Sequence, residues 1–167
     1  MESVLSLNDA KLKKYSYFNS DNKDNPKPLV IVGQTKIRFE EVDSLGIVWH
    51  GRYSSYFEDG RTFFGEKYEL SYLDMYKSNI IAPIVKLHVD YHNPLRLEEN
   101  ITIKTILNWS ESVRLNFEYH IFNSENVLSA TGYTVQVLLN LNRDLFLAWP
   151  DYMKNFITLW KEGKLYD

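Results

Sequence analysis

The sequence has no cysteine among its 167 residues. Disulfides, thiolate metal sites and cysteine nucleophiles are therefore excluded, and the absence fits a reducing compartment. The sequence also has no run approaching the roughly 20 apolar residues that a membrane span needs, and polar residues interrupt the N-terminal stretch where a signal peptide would have its apolar core. We therefore predict a cytoplasmic protein that does not use a membrane as a partner.

Basic residues are not in excess either. The chain carries 19 Lys and Arg against 22 Asp and Glu, a formal net charge of -3, whereas a nucleic-acid binder normally shows a basic stripe. We therefore expect no nucleic-acid partner. The length suits one domain with a sizeable core, and the 12 tyrosines suit half-buried strands and interfaces.

The N-terminal part of the chain differs from the rest. Residues 1–28 are predicted to be an extension that ends in a polar, proline-containing linker, and residues 29–167 are predicted to form the domain. The aromatic residues Tyr15, Tyr17 and Phe18 of the extension would either dock on the domain or stay free of it. The sequence leaves both possibilities open.

Alternating and helical patterns divide the domain into elements. Apolar residues alternate from Ile31 to Phe39, which predicts a half-buried strand, and a helical stripe begins at Tyr53 and ends at Phe64. Gly60 lies in this stripe and lowers its helix propensity, which close approach of the helix to a sheet would explain. The remaining predicted elements are a short helix over Ser71 to Lys77, four strands near residues 85–91, 101–109, 114–121 and 133–141, and an amphipathic helix after Pro150.

The joins between the later strands are short, which favours antiparallel neighbours. One early helix against a five-stranded antiparallel sheet is an α+β arrangement. A sheet curled around a long central helix meets this description, and the order of the elements also fits other α+β folds.

The segment from Ile37 to Thr62 carries the most chemistry. It leaves a strand, passes through a loop around Gly46 and enters the long helix, so it brings carboxylates close to a helix N-terminus. Such a terminus presents unpaired N–H groups and a partial positive charge, which stabilise an oxyanion. A nearby carboxylate attacks a carbonyl or activates water against it. The combination suits transfer of an acyl group to water.

The same segment resembles the 4-hydroxybenzoyl-CoA thioesterase family of the hotdog superfamily, and especially its YbgC-like branch. Two motifs carry the resemblance: Glu41-Val42-Asp43, Gly46, Val48, Trp49-His50, Tyr53, Glu58 and Arg61 match the first, and Val89-Asp90-Tyr91-His92-Asn93-Pro94-Leu95-Arg96-Leu97 matches the second. The resemblance covers residues 29–141. It implies a hotdog fold, in which a five-stranded antiparallel sheet curls around a long central helix, and a thioesterase that needs no cofactor.

The resemblance also implies roles for individual residues. Asp43 would be the catalytic carboxylate, and the backbone N–H groups at His50 and Gly51 would polarise the thioester carbonyl, with a side-chain role for His50 also open. Trp49 stands where the family usually has Tyr or Phe. The expected substrate-binding residues are Gly46, Trp49, Tyr53, Tyr91 and Arg96.

These residues also have structural interpretations. Asp43 would cap its loop by accepting backbone N–H groups, and His50 would cap the helix. Glu58 and Arg61 lie three residues apart on the helix, where an ion pair can form. Glu58 is at the same time the alternative catalytic acid, because other hotdog enzymes place their carboxylate on the central helix.

A strand further along the chain raises the question of a metal. His88, Asp90 and His92 share one face of that strand, because side chains alternate. Their spacing fits a metal site, but a solvated strand face has the same pattern. We predict no metal.

The leading functional hypothesis is hydrolysis of an acyl-CoA to a free acid and a thiol, with Arg96 and Arg52 as candidates for contacting the nucleotide phosphates. Three alternatives remain: a thioesterase for acyl carrier protein, a hotdog dehydratase or hydratase, and a non-catalytic acyl-thioester binding domain. The resemblance further implies a homodimer or homotetramer with active sites at the subunit interface.

Overall fold

The computed structural model describes residues 12–18 and 23–166. Five strands form one antiparallel sheet in the order β1-β3-β4-β5-β2. The elements in chain order are β1 (Leu29–Lys36), α1 (Tyr53–Tyr68), α2 (Tyr72–Lys77), β2 (Ile84–Tyr91), β3 (Asn100–Asn108), β4 (Arg114–Phe122), β5 (Leu128–Val137) and α3 (Asp151–Lys161), with 3-10 turns at Lys13–Tyr15, Phe39–Glu41 and His50–Arg52. The predicted α+β hotdog arrangement is confirmed. No helix in the described ranges is long and apolar enough to cross a membrane.

Helix α1 packs across one face of the sheet, where it contacts β1 and β3. Its predicted stripe is buried from Tyr53 to Phe64, and a Cβ added at Gly60 would lie 2.2 Å from the Thr105 Oγ1 on β3. Only glycine therefore permits this separation between helix and sheet, as the sequence predicts. The amphipathic helix after Pro150 is also present, and α3 buries Met153, Phe156, Ile157 and Trp160 against the core.

Two strand predictions need correction. Phe39 does not continue the buried face of the first strand: β1 ends at Lys36, and Phe39 lies in a 3-10 turn with 81% of its surface exposed. The last strand runs over Leu128–Val137 instead of 133–141. Its start is hidden in the sequence because Gly132, which faces the Phe57 ring of α1, is not a typical strand former.

The outer face of the sheet is covered in part by the N-terminal segment. Oε1 of the buried Glu118 on β4 accepts the backbone N–H groups of Tyr17 at 3.0 Å and Phe18 at 2.9 Å. The Tyr17 hydroxyl donates to Asp90 at 2.7 Å and lies 2.8 Å from the Thr131 hydroxyl. Residues 12–18 are thus docked, which answers the open question for this part of the extension; residues 1–11 and 19–22 lie outside the described ranges.

Strand β2 forms one edge of the sheet and is the most exposed strand. Its apolar residues Val85, Leu87 and Tyr91 are 54%, 47% and 52% exposed. A sheet edge with free backbone groups and apolar side chains is a surface that pairs readily with another strand.

Candidate active site

The loop between β1 and α1 holds Asp43 in a defined turn. The Asp43 N–H donates to the Ile47 carbonyl at 2.9 Å, and the Gly46 N–H donates to the Asp43 carbonyl at 3.0 Å. Asp43 Oδ1 accepts the Leu45 N–H at 2.8 Å, and Gly46 has φ +72°, which glycine adopts without strain. The loop-capping interpretation is therefore correct for one carboxylate oxygen. The other oxygen has no hydrogen-bond donor within the described residues.

The start of the helical region leaves backbone donors available. The Trp49 N–H donates to the Glu41 carbonyl at 2.9 Å, and the Arg52 N–H donates to the Trp49 carbonyl at 2.9 Å. Between them, neither the His50 nor the Gly51 N–H donates to a backbone oxygen of residues 12–18 or 23–166. Unpaired N–H groups of this kind are the ones that bind an oxyanion.

Asp43 and this helix start line one open cavity of about 350 Å³. Trp49, Gly51 and Arg52 form part of its wall. Ser55, on the first turn of α1, also lines the cavity; sequence reasoning missed it because an isolated serine on a helix gives no signal. The His50 side chain is exposed, and His50 is not among the residues of the cavity wall, so its backbone and side-chain roles both stay predictions.

The two sequence motifs meet in space. The Val48 N–H donates to the Leu95 carbonyl at 2.9 Å, and a backbone bridge next to it joins Ile47 to Arg96. The Tyr91 hydroxyl donates to the His50 carbonyl at 2.8 Å. The second motif therefore supports the loop and the helix start, although the Arg96 side chain itself is exposed.

Known proteins resemble this chain in both sequence and structure. A family model described as the thioesterase-like superfamily matches residues 37–157. The chain belongs to this superfamily. The acyl-CoA thioester hydrolase YbgC of Escherichia coli is 27% identical over 93 residues, which cover 56% of this chain and 69% of the relative. The chloroplastic acyl-acyl carrier protein thioesterase ATL3 of Arabidopsis thaliana is 28% identical over 105 residues, which cover 61% of this chain and 55% of the relative.

Among solved structures, a DHNA-CoA thioesterase from Staphylococcus aureus superposes with a TM-score of 0.71 at 28% identity, covering 82% of this chain and 97% of the other. The predicted family and fold are thus confirmed. The predicted enzyme class, a thioester hydrolase, agrees with membership in the thioesterase-like superfamily.

The two tyrosines expected to bind substrate, Tyr53 and Tyr91, lie at the helix start and do not line the cavity at Asp43. Tyr53 is buried, and burial raises its pKa to about 12, so its hydroxyl stays protonated at neutral pH. Its ring packs edge-on against Tyr91, with centroids 4.9 Å apart. Tyr53 therefore packs beside the helix start and is not part of the cavity wall at Asp43.

Glu41 and Asp59 form a pair of neighbouring carboxylates that the sequence did not predict. Glu41 Oε2 accepts the Arg38 N–H at 2.7 Å and the Tyr56 hydroxyl at 3.2 Å. Asp59, on α1, is half-buried, and its pKa is raised by burial first and then by the charge of Glu41. Asp59 is thus a second helix carboxylate beside the exposed Glu58, and its neighbour Glu41 has a structural role.

The expected ion pair between Glu58 and Arg61 is wrong. Arg61 is buried against the sheet, where its Nε donates to the Tyr72 hydroxyl at 2.5 Å and its Nη1 donates to the Tyr119 hydroxyl at 2.9 Å. Glu58 is exposed. The two side chains diverge because Arg61 lies on the buried side of α1 and Glu58 on its exposed side, which the sequence spacing alone did not distinguish.

The strand face that suggested a metal is occupied by side-chain contacts. His88 Nε2 lies 2.9 Å from Asp90 Oδ2, and His92 Nε2 lies 2.9 Å from the Thr131 hydroxyl. Within the described ranges no three His, Asp or Glu side chains are arranged to hold a metal ion.

Proposed function

We propose that this chain hydrolyses the thioester bond of an acyl-CoA, with Asp43 as the catalytic carboxylate. The observation that carries the proposal is that Asp43 and the helix start at Gly51 line the same cavity. A carboxylate and unpaired N–H groups are thereby available to one carbonyl group. This pairing of a base or nucleophile with an oxyanion site is the arrangement that acyl transfer requires.

The proposed reaction uses these groups in sequence. The N–H groups of His50 and Gly51 donate to the carbonyl oxygen as negative charge develops on it. Asp43 either attacks the carbonyl carbon, which releases the thiolate and leaves a mixed anhydride for water to cleave, or it takes a proton from the water that attacks. Both routes yield the carboxylic acid and the thiol. A single turnover in ¹⁸O-water distinguishes them, because the first product lacks the label only if Asp43 attacks and water then cleaves the anhydride at the carbonyl carbon of Asp43.

We also propose that the active form is a homodimer in which the β2 edges of two copies pair. In a homotetramer, two such dimers would associate. Val85, Leu87 and Tyr91 form an exposed apolar row on that edge, and Tyr91 hydrogen-bonds to the helix start through the His50 carbonyl. A second copy on this edge would cover the apolar row. It would also border the helix start, so each site would lie near the subunit interface.

The test of the proposed activity is release of thiol from a panel of substrates. Since the chain has no cysteine, a thiol reagent reports only the thiol that hydrolysis frees. The panel contains straight-chain and aromatic acyl-CoA esters and the same acyl groups on acyl carrier protein. Turnover of the CoA esters supports the proposal; turnover of the carrier-protein esters alone would assign the other carrier, and binding without thiol release would contradict hydrolysis.

A further inference from the structure

Arg61 is a buried cation that the proposed reaction does not use. Its side chain is 7% exposed, and its hydrogen-bond acceptors are the hydroxyls of Tyr72 and Tyr119. Burial raises the pKa of Tyr119 to about 12, so this hydroxyl carries no charge at neutral pH. The two tyrosines orient the guanidinium without neutralising it.

No carboxylate of the described residues forms an ion pair with Arg61. A guanidinium has five N–H donors, and the two tyrosine hydroxyls accept from Nε and Nη1. A buried charge without an opposite charge is unfavourable, and side chains in this condition are usually paired or hold a ligand. The remaining donors therefore suit an anion, and a planar guanidinium suits a carboxylate in particular.

Arg61 also lines a cavity of about 210 Å³ between α1, α2, α3 and the sheet. The rest of the wall is mostly apolar, from Leu70, Met75, Leu115, Phe117 and Met153. The cavity is open to solvent where its wall contains exposed residues, among them Thr62 and Glu66. A cavity of roughly 150 Å³ accepts benzene in another protein, so this one has room for a larger apolar group.

We propose that this cavity binds the carboxylate of an apolar organic acid, with the carboxylate on Arg61 and the hydrocarbon among the apolar side chains. The cavity shares no wall residue with the one at Asp43. The acid has two possible sources: a free carboxylic acid, or the distal carboxylate of an acyl group that is esterified to the carrier. The first source is independent of the proposed hydrolysis, and the second rests on it.

The first arm of the test measures binding of octanoate and of the neutral octanamide by isothermal titration calorimetry. We expect octanoate to bind about ten- to a hundredfold more tightly than octanamide, the difference that a hydrogen-bonded charge supplies. Arg61→Gln should remove this preference. Because Arg61→Gln could unfold the chain, Leu70→Trp serves as a second variant that fills the cavity and leaves Arg61 in place; it should abolish binding of both compounds.

The second arm compares hydrolysis of octanoyl-CoA and of its analogue with a carboxylate at the far end of the chain. If the carboxylated ester has the lower KM and Arg61→Gln abolishes this difference, the site binds the acyl group. If octanoate binds but the two esters have the same KM, the site binds a free acid. Equal binding of octanoate and octanamide, or octanoate binding that survives Leu70→Trp, overturns the proposal. No binding of octanoate together with no KM difference overturns it as well, whether or not hydrolysis itself is observed.

Discussion

The contact between Glu118 and the N-terminal segment gives a quantitative prediction. Its buried carboxylate accepts the backbone N–H groups of Tyr17 and Phe18, and Ser16 Oγ lies 3.3 Å from the same oxygen. In Glu118→Ala the two N–H groups would lose their acceptor. If they stayed buried, each would cost about 1–3 kcal/mol, so the free energy of unfolding would fall by roughly 2–6 kcal/mol.

Release of the segment limits this loss, so we expect Glu118→Ala to undock residues 12–18. Glu118→Gln is the matched control because its amide oxygen can still accept both N–H groups. Hydrogen exchange followed by mass spectrometry on the peptide that contains Tyr17 and Phe18 measures the docking directly. We expect protection in the wild type and in Glu118→Gln and its loss in Glu118→Ala. Equal protection in Glu118→Ala and the wild type would refute the reasoning.

The same residue predicts a pH dependence. Burial, the largest influence, raises the pKa of Glu118 above its ordinary value of 4.5. A carboxyl whose pKa is raised on folding contributes stability that is fully present below its unfolded pKa and is lost as the pH rises through its folded pKa. The urea midpoint of the wild type relative to that of Glu118→Gln should therefore fall as the pH is raised above 4.5. A difference that grows with pH would contradict this sign.

Three further changes test the packing and the assembly. Gly60→Ala should lower the free energy of unfolding by about 1–3 kcal/mol in urea titrations, because its Cβ would press on Thr105 of β3; an unchanged midpoint would show that the helix can move away. Tyr91→Phe removes the hydrogen bond to the His50 carbonyl, and we expect kcat to fall about two- to tenfold, the effect of one neutral hydrogen bond, with little change in secondary structure by circular dichroism; an unchanged kcat would remove Tyr91 from the site. Leu87→Lys places a charge in the exposed apolar row of β2 and should shift the protein from dimer to monomer in light scattering; an unchanged mass would move the interface elsewhere.

Much of the fold follows from periodicity. The apolar stripe of α1 and the alternation on β4 are long and regular, so they predict a helix and a strand on their own. The close approach at Gly60 was predicted because a glycine in a helical stripe needs a packing reason. The start of β5 and the end of β1 were harder to predict. Gly132 is a weak strand former that is present because Phe57 of α1 lies against it, and the apolar Phe39 is exposed in a turn.

The proximity of candidate site residues was predictable where the chain is continuous and less so where it folds back. Asp43 and Gly51 lie close together in sequence, and they line the same cavity. The contacts of Arg61 depend on Tyr72 and Tyr119, which are distant in sequence, so spacing on the helix favoured the nearer Glu58. No local sequence pattern identifies the partners of a buried charge when they lie on other elements, as Tyr72 on α2 and Tyr119 on β4 do.

The most direct test of the account compares three carboxylate variants in the thiol-release assay with the acyl-CoA ester that the wild type hydrolyses fastest. Asp43→Asn keeps the shape of the side chain and removes its charge and basicity, so we expect kcat to fall by about a hundredfold or more, as for the loss of a general base. Asp59→Asn and Glu58→Gln, on helix α1, should each reduce kcat far less. An active Asp43→Asn together with an inactive Glu58→Gln or Asp59→Asn would place the catalytic carboxylate on the helix and contradict the assignment of Asp43.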